Sequence, residues 1–236
     1  MRQSGRVVAS VLEVLKKSMK TGLKTKELDE LAAGELERLG ARAAFKGYRG
    51  FPATICVSIN DQIVHGIPGE REIKEGDIIS LDIGSIVDGF YGDAAITVVV
   101  GKASREAESL VETTREALEE GIKKAYAGAR LGDISAAIQQ YAESRGYSVI
   151  REYTGHGIGR EMHEEPQIPN FGRPGSGPIL KKGMVMALEP MLTMGGWRTR
   201  VGEDLWTVYT ADGSLAAHFE HTIAITDGEP EVLTAR

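Results

Sequence analysis

Four acidic residues of this 236-residue chain lie inside apolar stretches, where carboxylates are unusual. They are Asp82 in IISLDIGSIV, Asp93 at the start of DAAITVVV, Glu189 in MVMALEPML and Glu220 in HFEHTIAIT. A carboxylate that is removed from water without a partner is strongly destabilised or stays protonated. Because these stretches contain too few bases to pair the acids, the pattern indicates a bound cation. Oxygen-rich ligand sets suit divalent metals, so the sequence predicts a metalloenzyme.

A histidine between glycines is a fitting fifth ligand. His156 lies in TGHGIG, where the absence of glycine side chains allows backbone and ligand to approach closely. Taken alone, the same pattern is equally typical of a glycine-rich turn with an incidental histidine. Two further histidines, His65 in VHGIPGE and His163 in MHEEPQIPN, lie near the acid-bearing stretches. This clustering favours a functional role.

The spacing of Asp82 and Asp93 predicts that both carboxylates reach one site. They are eleven residues apart and flank Asp88-Gly89, a sequence typical of a hairpin turn. In a two-stranded ribbon, such residues can face each other and point to one side of the sheet. Glu220 and His221 must point to opposite faces of their predicted strand. We therefore assign Glu220 to the site and leave His221 outside it.

Composition places these residues in an ordinary globular protein. Hydrophobic residues make up 42% and charged residues 26% of the chain, which fits a single domain over residues 1–236. The net charge of −6 gives no nucleic-acid signal. The one cysteine, Cys56, excludes an intrachain disulfide and suits a reducing compartment. No apolar stretch has the length of a signal peptide core or a membrane span, so we expect a cytoplasmic protein.

Periodicity predicts two pairs of helices, each followed by strands. Helical spacing covers residues 4–19, continues from Thr25 to a stop at Gly40, and returns over 104–126 and 132–145. Strand-like stretches cover 53–60, 78–86 and 89–100.

The chain also repeats itself weakly, which predicts two related halves of about 1–100 and 101–236. At an offset of 106 residues, the matched pairs are Gly22 and Gly128, Leu28 and Ile134, and Gly40 and Gly146. One residue later in register, Asp82 matches Glu189, each following a leucine in an apolar stretch. If a pseudo-twofold axis relates the halves, these two acids approach one centre from opposite sides.

The order of the motifs resembles a known family. The segments VHGIP, LDIG, DGFYGD, TGHGIG, MHEEPQ, LEPM and FEHT follow one another as in type I methionine aminopeptidases, over nearly the whole chain. Only 25 residues separate His163 from Glu189, which favours type I, because type II members carry a long insertion there. The resemblance implies the α+β pita-bread fold, in which two pseudo-symmetric helix-helix-strand halves surround a central, mainly antiparallel sheet.

The resemblance also implies residue roles. It assigns two divalent metal ions to Asp82, Asp93, His156, Glu189 and Glu220, with Asp93 and Glu220 bridging. It assigns catalysis to Glu189 as general base, His163 as oxyanion stabiliser and His65 at the scissile amide. It assigns substrate binding to His65 and His163 and to a methionine pocket formed by Tyr48, Phe51, Cys56, Met162 and Trp206. Met162 and Phe51 depart from the family, which usually has phenylalanine and a tyrosine-like residue there, so fine substrate preference stays open.

The implied activity is removal of the N-terminal methionine from nascent proteins and peptides when the second residue is small. Cobalt, manganese, iron or zinc would serve as the metal. The expected partners are nascent N-termini, together with the ribosome surface, and the expected state is a monomer. Two alternatives stay open. A proline-specific aminopeptidase or dipeptidase of the same fold usually has an extra N-terminal domain, and a non-catalytic binding protein on this scaffold typically lacks metal ligands.

Overall fold

Two pairs of helices are each followed by a run of strands in the computed structural model, which describes residues 1–235. Over that range the α-helices are α1 (Arg2–Ser18), α2 (Thr25–Arg38), α3 (Arg105–Ile122) and α4 (Leu131–Ser144), and Tyr48–Gly50 forms a 3₁₀ turn. The strands are β1 (Arg42–Ala43), β2 (Cys56–Ile59), β3 (Gln62–Val64), β4 (Ile78–Val87), β5 (Phe90–Val99), β6 (Ser148–Val149), β7 (Thr154–Gly157), β8 (Glu164–Pro169), β9 (Val185–Leu188), β10 (Met191–Thr193), β11 (Thr199–Val201), β12 (Val208–Thr210), β13 (Ala216–His218), β14 (Glu220–Ala224) and β15 (Glu231–Val232).

A large antiparallel sheet runs through the molecule. Its strand order is β1-β4-β5-β14-β9-β7-β8, with β2 also paired to β4 and β15 to β14. Two three-stranded sheets, β13-β10-β6 and β11-β12-β3, lie beside it. Strands from the first and second halves of the chain therefore meet where β5 pairs with β14. The predicted α+β architecture with a central antiparallel sheet is confirmed.

The internal repeat is visible in main-chain hydrogen bonds. The Lys24 N–H donates to the Glu27 carboxylate at 2.8 Å at the start of α2, and the Arg130 N–H donates to Asp133 at 2.8 Å at the start of α4. These acids satisfy N–H groups that the first helical turn leaves without partners. Ahead of each helix, a glycine in the left-handed region donates its N–H to a distant carbonyl: Gly22 to Ile73 and Gly128 to Leu180. The offset of 106 residues thus recurs as matching backbone geometry.

Strand alternation separates the apolar core from the acids. On β4, Ile79, Leu81 and Ile83 pack into a cluster with side chains of α1 and α2. Asp82 points to the other face, because successive strand side chains alternate. In the second half, Ile223 of β14 packs into a cluster with α3 and α4, and Glu220 on the same strand points away from it.

Several predicted boundaries shift. Helix α3 ends at Ile122 instead of 126, because the following N–H groups of Lys124 and Ala125 bond to carbonyls three residues back and tighten the chain into turns. The strand predicted over 53–60 is limited to β2. No helix in the described part of the chain combines the length and apolarity needed to cross a bilayer.

Candidate metal centre and active site

The β4–β5 hairpin places Asp82 and Asp93 on one face of the sheet, but not directly opposite each other. Asp82 pairs with Ala95, and Asp93 pairs with Gly84. The expected direct facing was therefore wrong, because the two-residue turn at Asp88-Gly89 fixes the register by pairing Val87 with Phe90. The two carboxylates are diagonal neighbours, which are still within reach of each other across a sheet.

Strand β14 brings the third acid to the same place. Glu220 pairs with Ala95, which on its other side pairs with Asp82. The small side chain of Ala95 thus lies between two acids and leaves the space between their carboxylates open. The Thr222 hydroxyl fixes the β5–β14 junction, because it accepts from the Asp93 N–H at 3.0 Å and donates to the Asp93 carbonyl at 2.7 Å.

Glu189 reaches the centre from a break between strands. It lies between β9 and β10. The sequence had suggested a position within a strand, which was wrong. Pro190 follows it and has no N–H for a sheet hydrogen bond, so the strand stops there. The Asn170 side chain donates to the Glu189 carbonyl at 3.0 Å and holds the turn.

His156 lies on β7 between two close backbone approaches. A Cβ atom on Gly155 would lie 2.4 Å from the Ala187 carbonyl oxygen, and one on Gly157 would lie 2.2 Å from the Glu165 carbonyl oxygen. Both flanking positions therefore require glycine, as the motif indicated. The His156 Nδ1 lies 2.9 Å from the Gly157 carbonyl, which places the ring proton there and leaves Nε2 available as a ligand atom. Nε2 is 3.7 Å from Glu189 Oε1 and 3.9 Å from Asp93 Oδ2.

Burial sets the charge of this centre. It raises the pKa of Asp82 to about 7. Burial and the neighbouring carboxylates raise the pKa of Asp93, of Glu189 and of Glu220 well above the ordinary values. Burial, and then the nearby His163, lower the pKa of His156 to about 4. A neutral imidazole is the form that binds metals.

The polar atoms of the centre fit a divalent cation. Asp82 Oδ1, Asp93 Oδ1 and Glu220 Oε1 are buried and have no hydrogen-bond partner among the described residues. Buried polar atoms are normally paired, so several unpaired oxygens side by side indicate a missing positive partner. Ligand atoms of Asp93, His156 and Glu220 all lie within 4.8 Å of one another, and so do those of Glu189, His218 and Glu220. Carboxylate oxygens and imidazole nitrogens are the ligands of manganese, iron, cobalt and zinc sites.

Every residue that the sequence analysis assigned to the site lines one cavity of about 150 Å³. The proposed ligands form one part of its wall. Another part is apolar, with the Phe51 and Trp206 rings edge to face at 5.2 Å between centroids. Cys56 and Met162 are buried beside them.

The two remaining histidines lie between these parts of the wall. The His163 Nδ1 is 2.9 Å from the Tyr48 hydroxyl, and its ring centroid is 4.3 Å from that of His156. His65 contacts the edges of Tyr153 and Trp206, and burial lowers its pKa to about 4. Its backbone φ of 61° lies in the left-handed region, which is uncommon outside glycine and concentrates at functional sites.

Sequence reasoning missed several residues of this region. Phe45, Arg49 and Val64 also line the cavity. His218 lies beside it, with Nε2 at 3.8 Å from Glu220 Oε2. Strand alternation could have found His218, because it precedes Glu220 by two residues. His221 does not line the cavity, and its Nδ1 is 2.8 Å from the Thr234 hydroxyl. This agrees with the prediction that Glu220, and not His221, faces the site.

The chain matches the model of metallopeptidase family M24 over residues 1–227. It is 51% identical to a methionine aminopeptidase of Clostridium perfringens, over 99% of this chain and 94% of that protein. The crystal structure of a methionine aminopeptidase from Thermotoga maritima superposes with a TM-score of 0.99 at 48% identity, covering 100% of this chain and 95% of the other. A prolidase from Pyrococcus furiosus shares the fold, with a TM-score of 0.81, 20% identity and coverage of 100% and 62%.

These similarities, with the fold and the acid-lined cavity, place the chain in metallopeptidase family M24. Within that family it belongs to the methionine aminopeptidases, the enzymes that remove an N-terminal methionine.

Proposed function

We propose that the chain removes methionine from the N-termini of nascent proteins and peptides whose second residue is small, with two divalent metal ions. The observation that supports this best is a single cavity with two kinds of wall. Buried carboxylates and the neutral His156 form one part, and an apolar pocket forms another. An exopeptidase for methionine needs both, because one part serves the scissile bond and the other holds the thioether side chain.

Asp82, Asp93, His156, Glu189 and Glu220 would hold the metal ions. Bound divalent ions supply Lewis acidity, which polarises the scissile carbonyl and lowers the pKa of water. Manganese, iron, cobalt and zinc all suit this ligand set.

Glu189 is the proposed general base. Its side chain is 13% exposed and lines the cavity, where bound cations would keep the carboxylate ionised and able to accept a proton. It therefore takes the proton of the attacking water and passes it toward the leaving amine.

His163 and His65 are the proposed substrate-side histidines. When the Tyr48 hydroxyl donates to His163 Nδ1, the ring proton lies on Nε2, which can donate to the developing oxyanion. His65 hydrogen-bonds the scissile amide. Its low pKa keeps the ring neutral near pH 7.

The methionine side chain occupies the pocket of Tyr48, Phe51, Cys56, Met162 and Trp206. A flexible, polarisable thioether packs well against aromatic rings and other sulfur atoms. The high pKa of the Cys56 thiol, raised first by burial and then by nearby acids, keeps it protonated, which suits a pocket wall and not a nucleophile.

Hydrolysis of Met-Ala-Ser beside Ala-Pro-Ala tests this proposal. The protein is first treated with a chelator, and manganese or cobalt is then added back. Metal-restored release of methionine from Met-Ala-Ser alone supports the proposal. Cleavage of Ala-Pro-Ala instead selects a proline-specific enzyme of this fold, and no turnover with metal bound selects a binding protein.

The wider context stays a set of predictions. We propose one catalytic domain over residues 1–236, with halves of about 1–100 and 101–236. A monomeric state, a cytoplasmic location and contact with the ribosome surface are expected from the sequence and its resemblance.

A further inference from the structure

His218 is held rigidly beside the metal centre, although no role has been assigned to it. Its side chain is 1% exposed, and it is the last residue of β13, just before the break that precedes Glu220. The Thr97 hydroxyl bonds its backbone on both sides, because it accepts from the His218 N–H at 2.9 Å and donates to the His218 carbonyl at 2.7 Å. This clamp fixes where the ring enters the centre.

The ring of His218 has no hydrogen-bond partner among the described residues. Both Nδ1 and Nε2 are buried and unpaired. A buried imidazole without a partner is unfavourable, since its polar atoms lose their hydrogen bonds to water. A bound metal ion would provide the partner that this fixed, buried ring lacks.

The distances from His218 Nε2 to the nearby carboxylate oxygens are similar to those from His156 Nε2. The His218 Nε2 is 3.8 Å from Glu220 Oε2 and 4.0 Å from Glu189 Oε2. The His156 Nε2 is 3.9 Å from Asp93 Oδ2 and 3.7 Å from Glu189 Oε1. These separations are too long for hydrogen bonds. They suit two ligand atoms on one ion, because metal–nitrogen and metal–oxygen bonds of roughly 2.0–2.2 Å allow ligand atoms to be up to about 4.3 Å apart.

We propose that His218 is a sixth protein ligand of the metal centre, which binds through Nε2 an ion shared with Glu189 and Glu220. The inference rests on the proposed metal-dependent function. A second imidazole makes the ligand set softer, so it favours cobalt, iron and zinc over manganese. The two imidazoles approach from different strands, since His156 lies on β7 and His218 at the end of β13.

X-ray absorption of the cobalt-loaded protein tests the ligand directly, because imidazole rings around the ion give a countable scattering signal. The wild-type protein is compared with His218→Gln and with His221→Gln. The control removes a partly buried imidazole that is bonded to Thr234 and lies outside the centre. We expect the imidazole count to fall by one in His218→Gln and to stay at the wild-type value in His221→Gln. Equal counts in all three proteins would overturn the proposal.

Metal affinity gives a second readout. Competition with a chelator should show cobalt binding to His218→Gln weakened at least about 10-fold, a change typical of lost support at a metal site. Manganese binding should weaken less. Equal cobalt affinity in His218→Gln and wild type contradicts the inference.

A His156→Gln variant keeps the test decisive if His218→Gln does not fold. An imidazole signal that persists in cobalt-loaded His156→Gln supports His218 as a ligand, and its complete loss refutes it. The peptide assay on the wild-type protein separates the two proposals. An enzyme that cleaves Met-Ala-Ser with one imidazole per centre retains the proposed function and loses only this inference.

Discussion

Burial shifts the pKa values of the acids and of the histidines of the centre in opposite directions, and both shifts favour the neutral form. Burial raises the pKa of Asp82 and lowers that of His156. Both shifts disfavour the charged form of a buried group. The metal-free centre thus holds less charge than its composition suggests, and a divalent cation restores the ionised carboxylates.

At the scale of single residues, the first prediction concerns His163. Replacing it by alanine should lower kcat about 10²–10³-fold, the typical effect of removing one oxyanion donor. Metal content should stay near the wild-type value, because His163 is proposed to contact substrate and not the ions. Steady-state kinetics and metal analysis of the same preparation check both expectations. Loss of metal together with activity would identify His163 as a ligand instead.

Tyr48→Phe tests the hydroxyl beside His163 and is compared with His163→Ala. It removes the hydroxyl that lies 2.9 Å from His163 Nδ1 and keeps a ring stacked on the imidazole at 5.4 Å. We expect a smaller fall in kcat than for His163→Ala, because the donor remains and only its orientation loosens. A Tyr48→Phe effect as large as that of His163→Ala would mean that the hydroxyl itself acts on the substrate.

At the scale of elements, helix α1 packs on the sheet through very close backbone contacts. A Cβ atom on Gly5 would lie 2.2 Å from the Leu233 carbonyl oxygen, and one on Gly92 would lie 2.9 Å from the Gly5 backbone nitrogen. Glycine in a helix interior is unfavourable by about 0.5–1 kcal/mol relative to alanine. Here glycine is required at position 5 because α1 lies directly against the Leu233 backbone, and at position 92 because β5, which carries Asp93, lies directly against α1.

The second prediction compares two helical glycines. Gly5→Ala should lower the free energy of unfolding by about 1–3 kcal/mol, the usual effect of forcing atoms into a packed contact. Gly34→Ala in α2 has no atom within 4 Å of the new Cβ, so it should raise the free energy of unfolding by about 0.5–1 kcal/mol. Urea unfolding at equilibrium measures both. Stabilisation by Gly5→Ala would show that α1 can move away from Leu233 freely.

At the scale of the whole molecule, the metal-free protein should lose stability as pH rises above about 6.5. The folded-state pKa of Asp82 is about 7, far above its ordinary value of 3.8. Between these values the folded state binds more protons than the unfolded state, so the free energy of unfolding falls with rising pH. The lowered pKa values of the histidines, about 4 for His65, His156 and His221 and about 3 for His218, have the opposite effect. This effect fades as the pH rises past their unfolded value of 6.5, because the unfolded histidines then lose their protons, so the carboxylates dominate the pH dependence there.

Urea unfolding between pH 6.5 and 8, with a chelator or with manganese, measures this third prediction. We expect a falling free energy of unfolding with chelator and a smaller dependence with metal, since bound cations replace the protons. Asp82→Asn should have a flatter pH profile in chelator, because one titrating carboxyl is gone. A flat wild-type profile in chelator would mean that the acids are not protonated in the metal-free fold.

Local pattern was enough to predict much of this molecule. Apolar periodicity predicted helices at all four positions, and Asp88-Gly89 predicted the hairpin, because left-handed φ values there suit few other residue pairs. Acids in apolar stretches, together with the motif order, pointed to the residues that line the cavity. These signals depend on residue type and short spacing, which a sequence displays directly.

The tertiary structure alone decided which atoms meet. It placed Asp82 diagonal to Asp93, set Ala95 between Asp82 and Glu220, and brought the unpaired ring of His218 to the two glutamates. The offset of Asp82 from Asp93 follows from the two-residue turn, which the sequence signalled without giving its register. The contacts of Glu220 and His218 could not be predicted from sequence, because they depend on how β5 meets β13 and β14, whose residues are more than a hundred positions away along the chain. The sequence by itself determined the types of ligand, and the pairing of distant strands determined the geometry of the metal centre.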